Sequence, residues 1–177
     1  MIPEIGHYAL LLALAVALAQ ASVPLIGAQR DDAALMEMAR SAALAQFGFV
    51  ALAFGCLTHA YIVGDFSVRN VAENSNSAIP LLYKVSGVWG NHEGSMVLWA
   101  LILSLFGAAV AAFGRNLPPA LRARVLSIQA MTGIAFLAFI VFTSNPFERL
   151  NPPPLDGRDL NPLLQDPGLA FHPPFLY

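Results

Sequence analysis

Long runs of apolar residues alternate with short polar segments along the chain. Four of these runs are roughly 20 residues long or longer, and none of them contains Asp, Glu, Lys or Arg. Because a helix rises about 1.5 Å per residue, such a run can cross the roughly 30 Å hydrocarbon core of a bilayer. A helix is expected because an apolar segment in lipid must satisfy its own backbone hydrogen bonds. The predicted spans are 5–28, 41–64, 94–113 and 125–143.

Positive charge is concentrated in the links at one side of the predicted bundle. The short link 115–124 contains three arginines and no acidic residue, and the polar link 29–40 contains two more arginines. Short loops rich in Lys and Arg usually face the cytoplasm. We therefore predict an all-α integral membrane protein with about four transmembrane helices and an N-out/C-out topology. Its parts are a four-helix membrane region, 1–144, and a proline-rich outer loop, 145–177.

The beginning of the chain permits a second interpretation. The residues Ala19-Gln20-Ala21 resemble a signal-peptide cleavage site. However, Glu4 precedes the first span and no Lys or Arg does, whereas a signal peptide begins with a positively charged segment. We therefore expect the first span to remain uncleaved.

The two outer loops are predicted to have structure of their own. In the first, 65–93, residues 66–71 are expected to be extended and 74–77 to form a turn. A short helix starting at Pro80 should lie on the outer leaflet, because its apolar residues recur at helical spacing. In the second, eight of the 33 residues are proline, which argues against a long helix. Pro173 should also hold His172 in an extended backbone conformation.

Composition agrees with a membrane protein and excludes several kinds of site. Only 11% of the residues are charged, whereas soluble domains have about 25%. The net charge of −2 gives no reason to expect a nucleic-acid partner. Cys56 is the single cysteine, so the chain has no internal disulfide, no cysteine-based zinc site and no C-x-x-C-H haem-attachment motif.

Four histidines are candidates for chemistry. His7 is expected to be an interfacial polar residue. His59 lies inside the second span near its outer end, where it is either a functional group or a partner for a neighbouring helix. His92 belongs either to a capped helix start or to the wall of an aromatic cofactor surface. His172 is either bonded to a loop carbonyl or able to ligate haem iron.

Other side chains could complete a cofactor surface. Around His92, the residues Trp89, Glu93 and Met96 share one face if a helix begins there, and Trp99 follows one turn later. Two arginines, Arg149 and Arg158, could pair with propionate groups, but their sequence context favours ordinary surface pairs with Glu148 or Asp159. No Ser/His/Asp constellation and no phosphate loop is present, so no catalytic residue is predicted.

Three segments resemble a known family. They are WGNHEGSMVLW (89–99), FTSNPFERL (142–150) and GRDLNPLLQDPGLAFHPPFLY (157–177). They are similar to the amino-terminal part of the CcmF/CycK/NrfE/CcsA family of haem lyases in cytochrome c maturation, and the similarity extends over all 177 residues.

The resemblance implies a multi-pass protein of the bacterial inner membrane, surrounded by lipid, with its outer loops in the periplasm. Such proteins receive b-type haem as a substrate from a periplasmic haem chaperone. Together with a thiol-handling maturation subunit, they position the haem for covalent attachment to apocytochrome c. The resemblance assigns His172 as one of two periplasmic axial ligands to the haem iron.

Other family features have no counterpart in this chain. The second periplasmic histidine, the membrane-buried histidine pair and the tryptophan-rich segment are among them. We therefore expect a piece of a larger or split protein, one that does not transfer haem alone and acts with the remaining pieces.

Two other functions remain open. A haem or proton transporter segment would need polar groups through the bilayer centre, and the spans offer few. A non-catalytic structural subunit would dock thiol-handling partners through its outer loops, and replacing His172 would then leave haem binding unchanged.

Overall fold

The computed structural model describes residues 1–176, with side chains through residue 175, and this part of the chain is helical. Four of its helices are long and apolar enough to cross a membrane, which confirms the predicted membrane helices. Within the described residues, extended pairing is limited to one antiparallel bridge between Val68 and Arg149. The helices are α1 (Ile2–Arg30), α2 (Ala33–Val63), α3 (Arg69–Asn74), α4 (Leu81–Gly87), α5 (His92–Phe113), α6 (Pro119–Phe142) and α7 (Pro167–Leu176), with 3-10 turns at Gly114–Asn116 and Pro162–Gln165.

The link predicted at 29–40 is almost entirely helical, so that prediction was wrong. Only Asp31 and Asp32 separate α1 from α2. Asp31 adopts a left-handed conformation with φ 54° and ends α1. The Asp32 carboxylate accepts hydrogen bonds from the backbone N–H groups of Ala34 and Leu35, at 2.9 and 3.2 Å, and starts α2. The polar residues of this link therefore extend two helices instead of interrupting them, because a capped turn needs only two residues.

The loop 65–93, predicted to face outward, differs in part from its predicted structure. Helix α3 begins at Arg69, so the extended piece predicted at 66–71 is limited to the residues before it. Helix α4 begins directly after Pro80, as predicted. Its apolar residues face in two directions, since Val88 at its end is buried while Leu81 is 61% exposed. The position of α4 on the outer leaflet stays a prediction.

A ten-residue helix, α7, runs through the proline-rich segment, and the extended conformation predicted for His172 was wrong. Pro167 is the first helical residue, where a missing N–H group costs no hydrogen bond. Pro173 and Pro174 lie late in the helix, so they remove hydrogen bonds from only its last turns. Because α7 is short, it accommodates prolines that a long helix would not.

Alanine and glycine allow α1 to pack closely against its neighbours. Ala13 and Ala17 of α1 and Ala53 and Ala60 of α2 are almost completely buried in one core. Small residues let helix backbones approach each other, and this approach is a main source of helix association in membranes.

A proline inside α1 removes a backbone donor, and a serine of α6 replaces that donor. Pro24 has no N–H group, so the carbonyl of Gln20 lacks the donor that a regular helix would supply. The Ser127 hydroxyl donates to this carbonyl at 3.0 Å, and the Gln20 side-chain amide donates to the Leu126 carbonyl at 3.0 Å. All three residues other than Pro24 are 0% exposed. The pair of bonds thus joins α1 to α6 inside the bundle.

Ion pairs gather the two loops and the start of α1 into one layer at one end of the bundle. Arg149 donates to Glu4 at 2.6 Å and to Asp65 at 3.1 Å. Arg69 donates to Glu148 at 3.1 Å. The candidate cofactor residues predicted from the sequence lie in these two loops, except Trp99, which lies within α5. The division of the chain at residue 144 stays a prediction.

Candidate functional site at the loop layer

The junction between α4 and α5 is built around Asn91. Its side-chain oxygen accepts from the Gly94 N–H at 2.8 Å and so caps α5. The same oxygen accepts from the Asn70 amide at 2.8 Å, and its amide donates to the Tyr61 hydroxyl at 2.9 Å. The Tyr61 hydroxyl donates in turn to the Asn70 side-chain oxygen at 2.6 Å. This network fixes the start of α5 to α2 and α3.

A surface cavity of about 500 Å³ lies beside this junction. Its size falls in the range of about 300–1,000 Å³ that is usual for small-molecule sites. Two tryptophans, a methionine and a histidine contribute to its wall, so the wall is mainly aromatic and apolar. The lining residues are Trp89, Gly90, Asn91, His92, Ser95, Met96, Trp99, Leu164 and Pro173.

Aromatic contacts fix two rings of the cavity wall. The His92 ring meets Phe139 edge to face, with ring centroids 5.9 Å apart. The Trp99 ring meets Phe136 in a similar way at 5.7 Å. Both contacts join α5 to α6, so the wall is supported by the membrane bundle itself.

Helix α7 docks onto the α4–α5 junction. The Trp89 indole N–H donates to the Ala170 carbonyl at 2.8 Å. Leu164, in the turn before α7, packs close to Gly90. Pro173 lines the cavity, while the neighbouring His172 is exposed. The structure thus places His172 on a helix that forms one side of the cavity.

Only some of the predicted residues meet at the cavity. Trp89, His92 and Trp99 line the cavity together. The Glu93 carboxylate instead accepts from the Asn70 amide at 3.2 Å and belongs to the network beneath. Arg149 forms ion pairs with Glu4 and Asp65. The surface pair between Arg149 and Glu148 that the sequence suggested is therefore not formed.

Arg158 lies outside the cavity region. Its side chain is exposed, and its backbone N–H donates to the Ala72 carbonyl at 2.7 Å. Nearby, the Asp156 carboxylate accepts from the Ser77 hydroxyl at 2.7 Å and from the Ser77 N–H at 2.9 Å. These bonds from Ser77 lower the pKa of the Asp156 carboxyl below its usual value.

The other two histidines lie apart from this cavity. His59 is exposed on the surface of α2. His7 lines a smaller cavity of about 280 Å³, together with Glu4 and Arg149. The His7 Nδ1 atom is buried and has no hydrogen-bond partner among the described residues.

Several polar side chains inside the spans donate hydrogen bonds to backbone carbonyls of the helices. Gln20 and Gln129 donate to backbone carbonyls of neighbouring helices. Thr58 donates to the Phe54 carbonyl in its own helix at 2.8 Å. Such bonds stabilise helix packing.

Several residues of the site were not predicted from the sequence. Asn70 and Tyr61 hold the network, and Leu164 and Ala170 form the α7 contact. The role of Asn91 could have been predicted from the sequence, because asparagine directly before a helix is a preferred N-cap. The roles of the other residues could not, because these residues reach the site only through tertiary contacts.

Helices long enough to cross a membrane, with an aromatic cavity at one end of the bundle, define a helical membrane protein with a candidate ligand site. The family model of the cytochrome C assembly protein matches residues 89–177, half of the chain. The chain belongs to the cytochrome c assembly protein family, which confirms the resemblance seen in its motifs.

Individual relatives are similar over the whole chain. It is 64% identical over 177 residues to the cytochrome c-type biogenesis protein ccl1 of Rhodobacter capsulatus, and 52% identical over 178 residues to the cytochrome c-type biogenesis protein CcmF of Escherichia coli. It spans 27% and 28% of the lengths of these two proteins. A solved structure named Cytochrome c Heme Lyase CcmF matches 84% of this chain and 25% of that chain, with a TM-score of 0.79 and 27% sequence identity.

Proposed function

We propose that this chain is part of a haem lyase of cytochrome c maturation. It receives haem from a periplasmic haem chaperone and helps to hold it while apocytochrome c is attached. The observation that carries the proposal is the aromatic cavity bounded by α5 and by the helix that bears His172. Family membership supports the same role.

In this proposal His172 is an axial ligand to the iron of the incoming haem. Its exposed imidazole, on a helix docked beside the cavity, is accessible to a ligand that arrives from outside the membrane. Trp89, His92 and Trp99 supply a surface for the apolar edge of the porphyrin. The exposed Arg158 is a candidate for pairing with a propionate group.

The chemistry requires placement more than acid–base catalysis. Each cysteine thiol adds across a haem vinyl group, so a carbon–sulfur bond forms and no group leaves. Holding both partners in reacting geometry is therefore the main contribution that a protein can make. This chain contributes one ligand and part of the surface, and the second axial ligand comes from outside it.

The protein is proposed to lie in the bacterial inner membrane with the cavity layer facing the periplasm. The arginine-rich 115–124 link supports this orientation. The partners are then the haem chaperone, apocytochrome c, a thiol-handling subunit and the remaining parts of the lyase. The polar residues within the spans favour this function over transport, because Gln20, Ser127 and Gln129 form hydrogen bonds between helices.

The test is an absorption spectrum of the protein purified with its complete maturation system and its haem chaperone. His172→Ala should weaken or shift the Soret band of the delivered haem. His59→Ala is the matched control, because His59 is an exposed histidine on α2 that lies apart from the cavity, and it should leave the Soret band unchanged. An unchanged spectrum and haem content in His172→Ala would refute the ligand role and favour a structural docking subunit.

A further inference from the structure

The second proline after His172 leaves a carbonyl free for another donor. In a regular helix the carbonyl of residue 170 would accept from the N–H of residue 174. Residue 174 is a proline and has no N–H group. The carbonyl of Ala170 therefore has no such partner within α7. Ala170 is 2% exposed, which limits access of water to this group.

The indole of Trp89 supplies the missing donor. Its N–H reaches the Ala170 carbonyl at 2.8 Å. The donor is held firmly, because the Ser95 hydroxyl donates to the Trp89 carbonyl at 2.7 Å and the indole packs against the main core of the bundle. The hydrogen bond thus connects a rigid part of the protein to the helix that bears His172.

We propose that Trp89 is a positioning residue for His172, acting through the Ala170 carbonyl that Pro174 leaves free. His172 lies two residues after Ala170, within the same turn of α7, so the bond that fixes Ala170 also fixes the imidazole. This inference rests on the proposed function, because it assumes that His172 binds haem iron. It assigns a coupled role to Trp89 and Pro174, which are 85 residues apart in the sequence (174 − 89).

Trp89→Phe tests the inference, because it removes the N–H and keeps an aromatic ring. The assembled, haem-loaded complex is compared with Trp89→Phe, Pro174→Ala, the double variant and His172→Ala. The readouts are the Soret band and the rate at which haem passes to excess apomyoglobin. Loss of one hydrogen bond should weaken haem retention by about three- to tenfold in Trp89→Phe. Hydrogen exchange of α7 should also become faster.

The double variant distinguishes two roles of Trp89: positioning His172, or only supplying a donor to the buried Ala170 carbonyl. Pro174→Ala returns an N–H group to the helix, so it satisfies Ala170 without restoring the tether to Trp89. Positioning predicts that the double variant still releases haem faster than the parent protein. Full recovery would overturn the inference and leave a purely local backbone role.

His172→Ala keeps the inference distinguishable from the function on which it rests. A changed spectrum in His172→Ala with a normal one in Trp89→Phe overturns the positioning role and leaves the haem-lyase proposal standing. An unchanged spectrum in His172→Ala overturns both. If His172→Ala and Trp89→Phe both change the spectrum, and adding Pro174→Ala does not restore it in Trp89→Phe, the positioning role and the haem-lyase proposal are both supported.

Discussion

The compensation of Pro24 by Ser127 leads to a quantitative prediction. Ser127→Ala removes the donor to the Gln20 carbonyl, and Pro24 prevents the helix from providing another. Hydrogen bonds between membrane helices contribute about 0.6 kcal/mol on average and up to about 1.7 kcal/mol. Because this carbonyl is buried and would be left without a partner, we expect a loss of about 1–2 kcal/mol.

A double-mutant cycle with Pro24→Ala tests this compensation, because Pro24→Ala restores the backbone donor. In a Pro24→Ala background, the N–H of residue 24 can donate to the Gln20 carbonyl as in a regular helix. Ser127→Ala should then cost about 0.5 kcal/mol or less, so the two sites should show a coupling energy of about 1 kcal/mol. Ser104→Ala is the control, since Ser104 is a buried serine that donates within its own helix to Leu101.

The assay is reversible unfolding of the full chain in detergent micelles, followed by circular dichroism. The free energy of unfolding is measured for the four members of the cycle and for Ser104→Ala in both backgrounds. Ser104→Ala should cost the same in each background. Equal costs of Ser127→Ala with and without Pro24, within about 0.3 kcal/mol, would refute the compensation.

Three further predictions concern the loop layer. Asn91→Ala should lower the free energy of unfolding by about 2–4 kcal/mol, from a lost cap and buried groups left unpaired, whereas Asn116→Ala in an exposed turn should have little effect. Gly94→Ala should cost about 1–3 kcal/mol or more in the same assay, because a methyl group there would overlap the carbonyl oxygen of residue 88, which belongs to the backbone. The Asp156 carboxyl has a lowered pKa, so its stabilising contribution is present above its unfolded pKa and is lost as the pH falls through its folded pKa. The protection factor of the Ser77 amide, which compares its exchange rate with the intrinsic rate at the same pH, should therefore fall at acid pH. An Asp156→Asn variant whose protection factor has the same pH dependence would contradict this account.

One hydrogen bond joins two motifs that lie far apart in the sequence. Trp89 and Asn91 belong to one motif, and Ala170, His172 and Pro174 to another, at the other end of the match to the family. The structure joins the two motifs through a hydrogen bond from indole to carbonyl. Pro174 leaves the Ala170 carbonyl without its helical donor, and this carbonyl accepts instead from a distant side chain.

The sequence by itself determined the membrane architecture. Uncharged apolar runs of sufficient length must form helices in lipid, so the four long helices could be predicted from hydropathy alone. The motif residues also identified the family and pointed to Trp89, His92 and Trp99, which do line one cavity. These features depend on local composition or on short spacings, and both can be read along the chain.

Only the tertiary structure decided which polar groups meet. The turn at Asp31 and Asp32 was missed because two capping residues suffice where a longer link was expected. The helix at His172 was missed because local proline preferences argue against it, whereas its docking on Trp89 satisfies a carbonyl that proline leaves free. Such partners lie far apart in sequence, and their pairing depends on packing that no local pattern records.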